Sequence, residues 1–361
     1  MRVVICGGGV IGACTAYFLA RRGVDVVVVE RAEVAGAASG KAGGFLALDW
    51  CAGSPLDSLA RRSFMLHASL AKEIGADWGY RRMTAYGGFV APDQDSRRHR
   101  PSALDWLRDG VLISSRLGTP ETTAIVHPRK FTTAMMRAAQ EKGAQVHFGQ
   151  VTGLVRPDSG SIVKGVQVDG SILEADATII AMGPWSVLAA RWLRLPGVFG
   201  RQSPSLVYDT GTEVPADALF LEYPDGQTGL LDVEVFPRAD GSTHVTAFSS
   251  EAPVPTDPAE VLPERDAIER LQTICERLSP AFRQDRIIAR QACFRPITQD
   301  YLPLVGQVPD TEGAYIATGH NVWGILNAPA TGEAVSELVV DGKAHSTDLT
   351  PFHPSRLRPL Q

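Results

Sequence analysis

Three widely separated groups of residues in this chain have types and spacings that could do chemistry. The first is Gly7-Gly8-Gly9-Val10-Ile11-Gly12, which fits G-x-G-x-x-G, followed by Glu30 eighteen positions beyond Gly12. The second is the small-residue run Ala38-Ser39-Gly40-Lys41-Ala42-Gly43-Gly44. The third gathers Cys293 and Arg295 with Gly319-His320 and Trp323-Gly324-Ile325. In the first group, Gly7 permits a tight turn, Gly9 lets backbone approach a pyrophosphate, and Gly12 lets a helix pack closely on a strand. Val10 and Ile11 then open a helix whose N-terminus faces the phosphates, and the Glu30 carboxylate can accept hydrogen bonds from a ribose hydroxyl. A carboxylate there opposes a ribose 2′-phosphate, so the motif reads as a site for FAD or NAD and not for NADP. In the second group, so little side-chain bulk suggests backbone lying against something flat or charged, or else a flexible loop.

These groups need elements to hold them. Arg2 to Cys6 is a short apolar run suited to a buried parallel strand. Ile11, Thr15, Phe18 and Leu19 recur at helical spacing, Arg21 and Arg22 oppose the dipole in the last turn, and Gly23 closes the helix. A strand from Val24 to Val29 delivers Glu30. Ser54-Pro55-Leu56-Asp57 has the pattern of a capped helix start, with the helix running to about Asp77. His67 lies beside its apolar stripe, as packing or surface. Thr84 to Val90 reads as a strand, and 95–101 as a basic loop that is solvated or grips an anion. His127-Pro128 opens a helix closed by Gly143, and Asp169-Gly170 marks a hairpin. Ala177 to Ala181 is a buried-type strand. Gly229 to Pro237 and Thr243 to Phe248 flank a second hairpin at Asp240-Gly241, and Leu262 to Leu278 is an amphipathic helix. Tyr315 to Thr318 is a strand, and a last helix runs from about Asn327 to Asp341 and stops at Gly342.

The totals exclude several classes. At 361 residues the chain can bury a substantial core, and a net charge of −5 makes nucleic acid an improbable partner. The 5 cysteines are scattered without C-x-x-C, which fits a reducing compartment and no common zinc site, so no metal is expected. No apolar run is long enough to span a membrane. A cytoplasmic location is the default expectation.

Several segments together resemble the glycine oxidase and D-amino-acid oxidase type of FAD-dependent oxidoreductase. They are the nucleotide motif ending Val29-Glu30-Arg31, the run 38–44, and Ala181-Met182-Gly183-Pro184-Trp185. The most specific is a paired signature, Arg295-Pro296-Ile297-Thr298-Gln299-Asp300 with Thr318-Gly319-His320 and the run from Gly324 to Gly332. The resemblance implies an α/β fold, in which a Rossmann-like FAD-binding domain (1–80, 127–200 and 290–361) is interleaved with a substrate domain. That second domain (81–126 and 201–289) contains a mostly antiparallel sheet. It further implies FAD held by Gly7, Gly9, Val10, Ile11, Gly12, Glu30, Arg31, Ser39, Lys41, Gly43, Gly44, Gly183, Trp185, Cys293, Gly319, His320, Trp323, Gly324 and Ile325. A helix N-terminus after Gly324 would stabilise negative charge on the flavin pyrimidine edge.

Arg295 is the first choice for substrate recognition, because the matching arginine of the glycine oxidase branch clamps the substrate carboxylate. The structural alternative is that Arg295 bridges domains through Asp300 or another acid. In that branch a second arginine stands twenty-seven residues further on, where this chain has Val322 beside Trp323. Half the clamp is missing, and the apolar wall suits a bulkier or less charged amine. Cys293 aligns with the sarcosine oxidase cysteine that bonds to flavin, so covalent attachment is open but not favoured over a buried structural thiol. Lys41 falls where the family places basic or small residues over the flavin, and either promotes reaction with oxygen or is solvated. The activity implied is oxidation of the C–N bond of an amine or amino acid by hydride transfer to flavin N5, with oxygen or another electron acceptor. The rival readings are a non-catalytic flavin-binding interaction protein and an NAD-dependent dehydrogenase.

Overall fold

The structure is a computed structural model and describes residues 1–157, 160–226 and 229–360. Strand Arg2–Cys6 buries Val3, Val4, Ile5 and Cys6, as a strand covered on both faces must. It sits inside a six-stranded sheet ordered Leu304–Gln307, Ala314–Thr318, Ala177–Ile180, Arg2–Cys6, Asp25–Glu30, Gln145–Phe148. Neighbours are parallel except for the first pair. Helices Val10–Arg21, Asp57–Ile74, Pro128–Glu141 and Gly324–Asp341 share one core with Val3, Ile5, Val26 and Val28 of this sheet. On the other face, Val4, Cys6, Val27 and Val29 pack with a three-stranded antiparallel sheet, Val151–Leu154, Gly165–Val168 and Ser171–Glu174. Its Asp169-Gly170 turn has positive φ at both residues (48° and 83°), as a two-residue type I′ hairpin requires.

The second large sheet has eight strands and is mostly antiparallel; only Thr84–Val90 beside Asp217–Asp225 is parallel. Strand Phe199–Asp209 pairs on one side with Ile287–Ile297 and on the other with Ser242–Thr246 and Ser250–Glu251. Period-two alternation divides its faces. Leu219, Leu221, Val233, Val235 and Val245 form a core with Ile268, Leu271 and Ile274 of helix Arg265–Leu278. Phe220, Asp232, Glu234, Phe236 and Thr246 point the other way, towards the six-stranded sheet and a large cavity. The chain is therefore α/β with a parallel sheet set against a mostly antiparallel one, as the resemblance implies. Among the described residues no helix is long and apolar enough to cross a membrane.

Some boundaries move. The helix expected from Ser54 begins at Asp57, because residues 49–57 first make a run of tight turns in which Ser54 Oγ accepts from Leu56 N–H at 3.2 Å. Gly75, at φ 69°, ends it before Asp77. The last helix starts at Gly324, three residues before Asn327, and Gly342 (φ 78°) stops it as expected. The basic loop forms a short turn, Ser96–His99, in which Arg97 is held by Asp95 at 2.6 Å.

Candidate active site

One cavity of about 1080 Å³ is lined by both large sheets. Its nucleotide-type end is built mainly from backbone. Gly7 adopts φ 113°, and a side chain there would collide with the Ala181 carbonyl. Gly9 caps helix Val10–Arg21 without a side chain, and the Val10 N–H is instead taken by Ser39 Oγ at 2.9 Å. Glu30 accepts from Gly8 N–H (2.7 Å) and Ala32 N–H (2.9 Å), which fixes the carboxylate at the cavity wall with lone pairs to spare. Arg31 is anchored to Thr256 O at 2.8 Å and to Asp257 at 3.2 Å. Ile11, Gly43, Gly44, Gly183 and Trp185 line the same space, and Trp185 donates its indole N–H to Pro255 O at 2.7 Å. Gly12 and Gly319 do not line the cavity. Gly12 lets its helix press on the Gly7 carbonyl, and Gly319 turns at φ 80° against Thr298.

The opposite end is made of side chains. Strand Ile287–Ile297 presents Cys293 and Arg295 to the cavity. Arg295 donates to Ser203 Oγ (3.1 Å), Asn321 Oδ1 (2.9 Å) and Ser249 Oγ (3.1 Å). All three are neutral, and among the described residues no carboxylate lies in ion-pair contact with it. The bridge to Asp300 does not form, because Arg356 holds that carboxylate at 2.7 Å. Phe45, Trp50, Phe220 and Phe236 form an aromatic wall with ring centroids 4.7 to 5.6 Å apart, and Trp323 stands edge-on to Trp50 at 6.5 Å. Val322 lines the cavity where the second arginine would stand.

The charges are tuned by burial. Cys293 is pushed up by desolvation, only partly relieved by Arg295 and Lys41. Lys41, at the end of the short helix Ala38–Lys41, is half-buried and lowered mainly by that burial. Its carbonyl accepts from His244 (3.2 Å) and Gln291 (3.1 Å), which ties this segment to the large sheet. Glu234, on strand Gly229–Pro237, is raised to about 7 by burial, opposed by Arg295. Sequence reasoning missed it. The alternation Asp232-Val233-Glu234-Val235-Phe236 was visible, but acids alternating with valines read as a solvent face, and only the sheet pairing shows what they face.

Helix Gly324–Asp341 brings Trp323, Gly324 and Ile325 to the cavity and carries Pro329 inside it. Proline has no N–H, so the Ile325 carbonyl loses its helical donor. His67 supplies one, donating from Nε2 to Ile325 O (2.9 Å) and Leu326 O (3.2 Å). One turn earlier, Ser63 Oγ accepts the Ala330 N–H at 3.0 Å. His67 is fully buried, and burial lowers it to about 4, so it is neutral. His320 is also buried beside the cavity, 3.1 Å from Thr331 Oγ1 and lowered to about 3 by desolvation.

A parallel sheet with a glycine-built nucleotide end, joined through one cavity to an antiparallel sheet carrying an arginine, defines a two-sheet dinucleotide oxidoreductase. The chain belongs to the DAO family, FAD dependent oxidoreductase, whose sequence pattern matches residues 2–338. It is 28% identical to an oxidoreductase of Schizosaccharomyces pombe over 98% of this chain and 97% of that one. It is also 28% identical to the glycine oxidase of Geobacillus kaustophilus over 98% of this chain and 96% of that one. The crystal structure of glycine oxidase from Geobacillus kaustophilus superposes with a TM-score of 0.79 at 25% identity, covering 98% of this chain and 99% of that chain. L-proline dehydrogenase from P. horikoshii shares the fold, with a TM-score of 0.79 at 19% identity and 98% and 97% coverage. The protein is thus an FAD-dependent oxidoreductase, which sets aside both the nicotinamide and the non-catalytic readings.

The residues present fit FAD. The glycine turn, the oriented Glu30 and the side-chain-free Gly9 suit its adenosine and phosphates, while the shelf from Ala42 to Gly44 leaves room beside Cys293 for a flat ring.

Proposed function

We propose that this enzyme oxidises the C–N bond of a small amine that also carries a carboxylate, and that Arg295 recognises the carboxylate. The single observation behind this is the set of partners around Arg295: a half-buried guanidinium hydrogen-bonded by three neutral oxygens, with the Glu234 carboxyl near enough to act on it but no carboxylate in ion-pair contact among the described residues. A buried guanidinium with no carboxylate in contact is costly, and a bound carboxylate would satisfy it with two charged hydrogen bonds. Bound FAD supplies the acceptor for the electron pair that leaves the substrate carbon. Everything else falls to the protein. Arg295 orients the substrate, and Phe45, Trp50, Phe220 and Phe236 exclude water and take an apolar substituent. Lys41 places a cation near Cys293, where the flavin ring would lie. Val322 removes a charge from the clamp, which favours a larger N- or Cα-substituent over glycine itself.

In this reading the FAD-binding part comprises 1–80, 127–200 and 290–361, and the substrate part 81–126 and 201–289, with strand Ile287–Ile297 crossing the boundary to pair into the mostly antiparallel sheet. Oxygen or another acceptor completes the cycle, and the free, buried cysteines suit a reducing cytoplasm. The test is aerobic incubation with glycine, N-methylglycine, N-benzylglycine, L-phenylalanine and benzylamine, assaying carbonyl product. Turnover of the carboxylate-bearing members supports the proposal. Turnover of benzylamine in preference to N-benzylglycine contradicts the role given to Arg295.

A further inference from the structure

Hydride can leave the substrate carbon readily only from a neutral amine, whereas free amino acids and alkylamines reach an enzyme at neutral pH as ammonium ions. Something must take that proton. We infer that Glu234 is the group that accepts it, acting as the general base that converts the incoming ammonium to the reactive amine; this deepens, and rests on, the amine-oxidising reading above. The transfer is a proton step alone. An N–H bond of the substrate breaks and an O–H bond forms on Glu234, so that an ammonium–carboxylate pair becomes an amine and a carboxylic acid, with no electron changing hands.

The geometry carries this. Glu234 lies on the cavity face of the large sheet, with Phe220 directly opposite on one neighbouring strand and Thr246 on the other. Thr246 Oγ1 already donates to Pro204 O at 2.8 Å, and among the described residues no hydrogen-bond partner or ion pair is made by the Glu234 carboxyl. A half-buried carboxyl that faces an aromatic-walled cavity and makes no protein hydrogen bond is expensive unless a ligand provides one. Two residues along the strands, Glu222 and Asp232 stand directly opposite each other, and both are exposed and line the cavity. Like charges at paired positions destabilise a sheet. Their field favours a cation entering along the face that ends at Glu234.

The other charged and titratable groups facing this region are Arg295 on strand Ile287–Ile297, with Arg201 beside it, His244 on strand Ser242–Thr246, and Lys41 from the short helix. His244 is lowered to about 3 by burial and is neutral near pH 7. It is therefore no competing base at the wall, being already bonded to the Lys41 carbonyl. Burial raises Glu234 to about 7, the range in which a base is best matched to neutral pH.

The experiment is anaerobic stopped-flow reduction of the FAD-loaded enzyme by N-benzylglycine and N-methylglycine between pH 6 and 10, for wild type and Glu234→Gln. Wild type is expected to lose its reduction rate as pH falls through the titration of Glu234. Glu234→Gln is expected to be slower by roughly a hundredfold at pH 7, the scale of general-base catalysis. It should recover towards the wild-type rate near pH 10, where a large fraction of the amine is already neutral in solution. Glu234→Asp, which keeps a carboxylate, should retain the pH limb at a reduced rate. A Glu234→Gln enzyme with the wild-type rate at pH 7 overturns the inference, as does one equally slow at every pH, which would mark a merely structural role. A wild-type flavin that none of the panel of amines reduces overturns the underlying reading and this inference with it, and is seen before any variant is made.

Discussion

The two ends of the cavity are built from different materials. At the end formed by strands Arg2–Cys6 and Asp25–Glu30, the working groups are mainly backbone N–H groups, missing side chains and one carboxylate, most of them within the stretch from Gly7 to Gly44. At the end formed by strands Gly229–Pro237 and Ile287–Ile297, the working groups are side chains from at least four strands, brought together by sheet pairing. The first end fails when a side chain is added. The second fails when one is altered.

The largest effect is expected at the backbone-built end. In Gly7→Ala the new side chain is forced to positive φ and into the Ala181 carbonyl. A loss of about 3 kcal/mol of stability and a colourless protein are expected, read by thermal melting and FAD per chain. At the side-chain-built end, Arg295→Met should leave FAD content intact and lower kcat/KM for N-benzylglycine roughly a hundredfold, with a much smaller effect for benzylamine. A protein that loses FAD with Arg295, or keeps full activity on both substrates, would break the contrast between the two ends.

His67 joins the comparison from outside the cavity, since it repairs the break at Pro329 in the helix whose first turn lines the cavity. His67→Ala leaves the Ile325 and Leu326 carbonyls unpaired and should cost about 2 kcal/mol in denaturant unfolding at pH 7. The sign of its pH dependence follows from a folded pKa of about 4 against an ordinary value of 6.5. The unfolded chain takes up a proton that the folded chain refuses, so stability falls as pH drops from 6.5 towards 4. His67→Gln should remove one proton from that slope, about 1.4 kcal/mol per pH unit at its steepest. The smallest effect is expected at Arg97, an exposed residue paired with Asp95 in its own turn. Arg97→Ala should leave both melting temperature and flavin reduction unchanged.

The same contrast explains what could be read from the chain. Gly7, Gly9, Gly12 and Glu30 are legible because local geometry alone gives each a task within one strand-turn-helix-strand unit. Arg295 was legible only through resemblance; its partner Asn321 follows the Gly319-His320 half of the paired signature, but Ser203 and Ser249 come from segments that nothing in the sequence joins to it. Glu234 was hidden for a further reason: on one strand, an acid facing an internal cavity and an acid facing solvent have the same alternation. His67 carried a weak signal, since Pro329 inside a helix calls for an outside donor, but its partner helix could be known only from packing. The helix start misplaced at Ser54 shows the limit of local capping patterns, because a chain of turns ending at Asp57 satisfies the same residues.

The most direct test of an amine-oxidising flavoenzyme is the visible spectrum of the purified, FAD-loaded protein, mixed anaerobically with the five amines and amino acids named above. Bleaching of the flavin band by a carboxylate-bearing amine, faster than by benzylamine, is the expected result. A yellow protein whose band none of them bleaches would contradict C–N oxidation and leave the FAD-dependent oxidoreductase with a donor of another chemical type.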